Sequence, residues 1–324
     1  MKRKIGVFAV CLALFLVMFP GCSTSKGSTA TSTVNKKDLT FVVVPKCVHP
    51  WFDLVNKGAQ AEAKSLEQQL GVKVTVKYSA PTSADVASQN TVLEQAAATH
   101  PDGICVDPVD TVGNKATLES IKAQGIKVML FDSESFDNFP AVGNDFTEEA
   151  NVADARLVKD LNGKGKVAIM QGVPSAPCHK QRYDAHVAYL KKYPGITIVD
   201  GGIDNDNIQT AQQQAEAVLS AHPDLNGYLS CDGSGPIGIG QAIKESGKKG
   251  KVIGVGMEDL TAILQYVKDG YLESSASTKP MEMGSMSILM MWQDSLGIEI
   301  PKFVDTGIDF IDQSNIDSFM AKMK

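Results

Sequence analysis

The chain has 324 residues, 43% of them hydrophobic, and a formal net charge of −6. This length suits two domains of roughly 100 to 200 residues each. The only lysine-rich patch, Lys248, Lys249 and Lys251, reads as a short turn, so nothing basic enough to hold nucleic acid is present.

The N-terminus reads as an export signal over residues 1–21. Lys2, Arg3 and Lys4 precede an apolar run from Ile5 to Phe19, followed by Pro20, Gly21 and Cys22. The run is shorter than the roughly 20 residues of a spanning helix, which argues against a retained transmembrane anchor. A small residue directly before cysteine resembles the bacterial lipobox, and that resemblance implies lipidation of Cys22. Phe19 and Pro20 depart from the Leu and small residue usual in that motif. Ser23 to Thr33 is almost entirely Ser, Thr, Gly and Ala, and residues 22–37 are expected to form a flexible tether.

The body opens with Leu39 to Phe52, LTFVVVPKCVHPWF. Leu39 and Phe41 to Val44 show almost no alternation, the pattern of a strand buried on both faces of a parallel sheet. Pro45 should end it. Lys46, His49, Trp51 and Phe52 follow, and then Phe52, Val55, Ala59, Ala63, Leu66 and Leu70 recur at helical steps. A polar and aromatic cluster therefore sits where the first strand hands over to the first helix, the sheet edge at which open α/β folds bind ligands.

Further strands are predicted at Val72 to Tyr78, Gly103 to Val106, Lys127 to Phe131, Lys166 to Met170, Ile196 to Val199, Gly227 to Ser230, Lys251 to Val255 and Leu272 to Ala276, with helical patterns between nearly all of them. That alternation implies βαβ units and parallel sheets. The exception is Phe136 to Asn144, a loop with a short extended piece. A repeat supports two similar domains: His100-Pro101-Asp102 leads into the strand before Asp107, and His222-Pro223-Asp224 into the strand before Asp232. Cys47, Cys105, Cys178 and Cys231 show no close-spaced framework and are expected as free, mostly buried thiols. Without CxxC or HxxxH, and with His179 and His186 seven apart, no metal is expected.

Acids cluster at strand ends: Asp107 after GICV, Asp132 after VMLF, Asp232 after LSC and Glu258 after VIGVGM. Any one of them suits a helix N-cap. Four across both halves suit a shared cleft. Carboxylates accept charge-assisted bonds from hydroxyls, and aromatic faces cover C–H groups, which is the chemistry of a sugar or polyol site.

VVVPKCVHPWF, APTSADVASQ, CVDPVD, LFDSES, DNDNIQTAQQQAEAVLSAHPDL and CDGSGPIGIGQAI, in this order, resemble the type I periplasmic binding proteins of sugar ABC transporters, in particular the ribose, rhamnose and autoinducer binders. The resemblance runs from about Leu39 to Phe310. It implies an α/β fold of two Rossmann-like lobes, each a parallel sheet flanked by helices, joined by three hinge crossovers near Asn144, Thr278 and Asp305. The expected lobes are residues 38–144 with 279–305, and 145–278 with 306–324. It also implies ligand contacts from Lys46, His49, Trp51, Phe52, Asp107 and Asp132 in the first lobe. Lys180 or Arg182, Asn205, Asp206, Asp232 and Glu258 would serve in the second. His186 is read as a satisfied core histidine.

Three other readings compete. Gly233, Gly235 and Gly238 spell GxGxxG with Glu258 and Asp259 further on, a dinucleotide fingerprint, although Pro236 fits a first helical turn and the glycines equally permit close helix packing. Paired carboxylates could hydrolyse a glycoside. A sensory or quorum-signal receptor would use the same lobe closure. The reading adopted is a non-enzymatic, lipid-anchored, monomeric substrate-binding protein without cofactor, which captures a monosaccharide or similar polyol and delivers it to a membrane ABC permease.

Overall fold

Pro45 ends the first strand as its missing N–H requires. β1 (Asp38–Val44) is followed by α1 (Pro50–Leu70), which has Pro50 in its first turn and His49 as N-cap, the His49 ring accepting the Trp51 N–H. Gly71, at φ 65°, closes α1 in the left-handed conformation usual after a helix. The computed structural model describes residues 38–322. The signal, Cys22 and the tether lie outside the described residues.

The first block continues with β2 (Lys73–Tyr78), α2 (Val86–Ala97), β3 (Gly103–Val106), α3 (Thr111–Ala123), β4 (Lys127–Phe131) and β5 (Ala141–Gly143). The second comprises α4 (Phe146–Asp160), β6 (Lys164–Gln171), α5 (Pro177–Leu190), β7 (Gly195–Ile203), α6 (Ile208–Ala221), β8 (Gly227–Ser230), α7 (Gly235–Glu245), β9 (Ile253–Met257), α8 (Thr261–Lys268) and β10 (Ser274–Ser277). Then come α9 (Pro280–Ser295), β11 (Phe303–Asp305), β12 (Asp309–Asp312) and α10 (Ile316–Lys322). Asp85, Asp110, Asp145 and Asn207 cap α2, α3, α4 and α6, each accepting a first-turn backbone N–H.

Two six-stranded sheets result, with strand orders β2-β1-β3-β4-β5-β11 and β7-β6-β8-β9-β10-β12. Every pairing is parallel except β10 with β12. The five leading strands of each follow the same doubly wound order, so each half has a topological switch point, between β1 and β3 or between β6 and β8. The chain passes from one sheet to the other three times, between β5 and α4, between β10 and α9, and between β11 and β12. This is a pair of parallel-sheet α/β lobes with flanking helices. Phe41, Val42, Val43 and Val44 are all buried, as a strand covered on both faces must be. Cys47, Cys105, Cys178 and Cys231 are free, buried thiols.

Candidate functional site

The loops after the two central strands face each other. From the first lobe, the β1–α1 loop brings Lys46, His49, Trp51 and Phe52, and the end of β4 brings Asp132. From the second come His179 and Arg182 of α5, Asp206 after β7, Gly233 after β8 and Glu258 after β9. Together these ten line a narrow cavity between the two walls, about 250 Å³ when its open mouth is counted. A larger opening of about 570 Å³ lies at the crossovers beside Thr278, Lys279, Pro280 and Met281. Its charged residues are half-buried or exposed, so water already solvates them; the smaller cavity holds the desolvated charge.

Lys46 anchors the first-lobe wall. Its ammonium donates to Asp107 at 2.6 Å and to Asp132 at 3.2 Å, and lies 5.3 Å from the centre of the Phe52 ring. Burial alone would lower the Lys46 pKa, but Asp107, Cys178 and Asp132 outweigh it and hold the group well above its ordinary value. It also donates to Cys178 Sγ at 3.5 Å, and that thiol donates to Asp132 at 3.2 Å, so two first-lobe groups reach a second-lobe side chain.

Arg182 anchors the opposite wall. It donates through Nε to Glu149 at 2.7 Å, through Nη2 to Glu258 at 3.1 Å and through Nη1 to the Cys231 carbonyl at 3.1 Å. Its guanidinium lies 5.0 Å from the centre of the Phe146 ring. The other oxygen of Glu258 accepts from the Thr278 hydroxyl at 2.5 Å and the Thr278 N–H at 3.2 Å. Burial pushes Glu149 up to about 8 in spite of Arg182.

Two imidazoles complete the lining. His49 accepts the Trp51 N–H at Nδ1 (3.2 Å) and meets the Ser234 hydroxyl through Nε2 (3.1 Å), bridging the lobes. His179 accepts the Val173 N–H at Nδ1 (2.8 Å), which leaves Nε2 as the donor, 3.8 Å from Asp206 Oδ1. A backbone N–H can only donate, so each ring is fixed as the neutral Nε2–H tautomer. Burial pushes His179 down to about 3. Three polar atoms on lining residues, Trp51 Nε1, Asp132 Oδ1 and Asp206 Oδ2, are buried without a hydrogen-bond partner in the protein. The Trp51 indole lies near enough to Glu258 to lower its pKa, yet outside hydrogen-bond geometry.

Of the residues expected from sequence, Lys46, His49, Trp51, Phe52, Asp132, Arg182, Asp206 and Glu258 line the cavity. Asp107 and Asp232 are buried one layer behind it. Asp107 holds Lys46, and Asp232 accepts the Ser234 and Gly235 N–H groups at the start of α7. Lys180 and Asn205 must be corrected. Lys180 is exposed and ion-paired with Asp184, because one step along α5 turns it away from the face that carries His179 and Arg182. Asn205 is exposed in the left-handed turn that brings Asp206 inward.

Sequence reasoning marks neither His179 nor Glu149 as a site residue, and Cys178 only as a buried thiol. One signal was available. GVPSAPCHK after β6 occupies the place in the second lobe that VPKCVHPWF occupies after β1 in the first. His186 is buried, bonded to Asp154 at 2.8 Å and to the Ser230 carbonyl at 3.3 Å, a satisfied core histidine. The glycines of GxGxxG serve packing: a Cβ on Gly238 would lie 2.4 Å from the backbone of Ala211 in α6.

Residues 40–297 match a family model described as periplasmic binding protein domain. The ribose import binding protein RbsB of Bacillus subtilis is 25% identical over 89% of this chain and 91% of that protein. The D-allose-binding periplasmic protein of Escherichia coli is 26% identical over 77% of this chain and 82% of its own length. Among solved structures, an ABC transporter solute binding protein from Burkholderia graminis in complex with D-arabinose superposes with a TM-score of 0.81 at 26% identity, over 88% of this chain and 98% of the other. One from Agrobacterium vitis with bound D-fucose gives 0.81 at 25% identity, over 87% and 98%. With well over half its length matched by that model, the chain belongs to the periplasmic binding protein family.

Proposed function

We propose that this chain is the substrate-binding lipoprotein of an ABC transporter, that it captures a monosaccharide or similar polyol between its lobes, and that it hands the molecule to a membrane permease without chemical change. The observation that carries this reading is the cavity itself: acids, cations and aromatic rings from both lobes around a narrow space, with one buried oxygen on each of Asp132 and Asp206 that has no hydrogen-bond partner among the described residues. Relatives of similar length named for ribose and allose binding support it. As a periplasmic binding protein the chain is exported, and among the described residues no helix is long and apolar enough to cross a membrane.

In this reading Asp132, Asp206 and Glu258 accept ligand hydroxyls, Arg182 and His179 donate to ligand oxygens, and Lys46 holds Asp132 in place. Trp51 and Phe52 cover its apolar face. Asp107 and Asp232 support from behind. The lobes are residues 38–144 with 279–305, and 145–278 with 306–324, and the protein acts as a monomer tethered through lipid on Cys22. Cys22→Ala should release it from the membrane fraction, and retention there would count against the anchor.

The direct test is calorimetric titration after identifying, by mass spectrometry, the small molecule released on denaturing the purified protein. Asp132→Ala should then weaken binding by about 2 to 5 kcal/mol, the cost of removing one partner of a buried charged hydrogen bond. Unchanged affinity would remove Asp132 from the site.

A further inference from the structure

The walls of the cavity bury more acid than the protein's own cations neutralise. Lys46 is shared by Asp107 and Asp132, and Arg182 by Glu149 and Glu258. A third group, Asp204, Asp206 and Asp232, makes no ion pair with lysine or arginine among the described residues. Its nearest basic neighbours, His179 and His49, are neutral rings whose pKa burial lowers.

Within this group the three carboxyls differ. Asp232 is occupied by the Ser234 and Gly235 N–H groups, and Asp204 accepts the Asp206 N–H at 2.9 Å. Burial, reinforced by the neighbouring acids, raises both, Asp232 to about 7 and Asp204 well above the usual range, so each can discharge by holding a proton. Asp206 is the one that faces the cavity. Burial would raise it too, but His179, Lys46 and His49, together with a hydrogen bond from the Asp232 carboxyl, outweigh that and hold it below the ordinary carboxylate value. It is 8% exposed, its Oδ1 lies 3.8 Å from the His179 ring, and its Oδ2 has no hydrogen-bond partner among the described residues.

A buried carboxylate in that position has no lysine or arginine in contact among the described residues and one oxygen without a donor, and burying a charge without a close partner is costly. A ligand hydroxyl would supply the donor alone. An ammonium supplies both, in a narrow space where low polarity strengthens the attraction. The rest of the lining, Arg182, His179 Nε2–H and the Trp51 indole N–H, offers donors that require oxygen acceptors on the same molecule. We propose that the ligand is a polyhydroxylated amine, with its protonated nitrogen against Asp206 and its hydroxyls toward the donors. This deepens, and rests on, the polyol-binding reading above.

Matched pairs test it: glucosamine with glucose, galactosamine with galactose, mannosamine with mannose, and an amino-inositol with inositol, each titrated into the mature protein by calorimetry at a pH where the amines are protonated. The expected result is at least one amine that binds tenfold or more tightly than its neutral parent, with the preference lost in Asp206→Asn. Should that variant fail to fold, the wild-type ratio alone decides. A neutral parent that binds as tightly as its amine, or more so, overturns the amine and leaves the polyol reading standing. Binding by no member of either series overturns both.

Discussion

The acids that line the cavity sit on backbone that L-residues seldom adopt. Asp132, Asp206 and Glu258 have φ of 48°, 57° and 72°. That left-handed conformation costs on the order of 1 to 2 kcal/mol per residue. It persists where surrounding structure enforces it, commonly at functional sites. Here it re-aims a carboxyl at the end of a strand toward the opposite lobe. His179 is constrained differently, by a backbone N–H that only a neutral ring can accept. Its pKa of about 3 in the fold lies below the roughly 6.5 of an unfolded chain. The unfolded state therefore binds the extra proton, and stability is lost as pH falls through 6.5, at about 1.4 kcal/mol per pH unit until the folded value is reached. Asp232 near 7 and Glu149 near 8 act in the opposite sense, since the fold holds their protons and stability falls as pH rises toward those values. The difference between wild type and His179→Gln isolates the imidazole. Urea denaturation at pH 7.5, 6 and 5 should show wild type losing ground to the variant at the lower values, and parallel profiles would mean that His179 is protonated in the fold. Asp132 and Glu258 were legible only as two of four acids after buried strands, for Asp107 and Asp232 show the same pattern yet lie behind the cavity, Asp232 on the first N–H groups of α7. Asp206 was legible only through the family pattern, and its exposed neighbour Asn205 could not be told from it, because the turn that separates them is a matter of φ. Glu149 carried no signal, being one acid among several in the first turn of α4.

The elements follow from the sequence more directly than the site does. Buried parallel strands announce themselves as unbroken apolar runs, and β3, β4 and β8 begin and end where the pattern predicts. β11 and β12 escape it, being three and four residues long and partly exposed. Nor does periodicity reveal which helices touch. α1 and α9 are far apart in the chain, yet they pack closely enough that a Cβ on Gly284 would lie 1.9 Å from the Val55 carbonyl oxygen, and one on Gly58 1.9 Å from that of Met281. Both obstacles are backbone atoms, which cannot rotate aside. Alanine gains about 1 kcal/mol over glycine in a helix interior. Overpacking typically costs 1 to 3 kcal/mol, and at this distance the helices must move apart. Gly284→Ala should therefore lower stability by about 1 to 2 kcal/mol, read as a lower urea midpoint at unchanged slope. A higher midpoint would show that the two helices are not in backbone contact. α9 starts directly after the second passage between the sheets, so the same contact fixes where that connecting segment leaves the first lobe.

At the scale of the whole molecule, the two lobes meet through their own side chains around the cavity. His49 bonds Ser234, Lys46 and Asp132 meet Cys178, and the Ser175 hydroxyl donates to the Val109 carbonyl at 3.1 Å. Beside that last bond Val109 packs against Val173 and Ala176 in a small apolar cluster, none of which lines the cavity. In hinge closure a ligand favours the shut form by touching both walls, and its apparent affinity scales with the fraction of protein able to adopt that form. A change at Val109 can therefore weaken binding without touching the ligand. Val109→Asp would place a carboxylate against Val173 and Ala176, where nothing pairs with it, and the shut form would lose several kcal/mol relative to an open one in which the group is hydrated. The expected result is apparent affinity reduced at least tenfold, together with a larger radius of gyration in small-angle scattering that returns to the wild-type value once ligand saturates. Because every lining residue is retained, recovery at saturation distinguishes a shifted closure equilibrium from a damaged cavity. Unchanged affinity and unchanged radius would mean that the lobes do not part at Val109, and that the apolar cluster belongs to the hinge and not to the mouth.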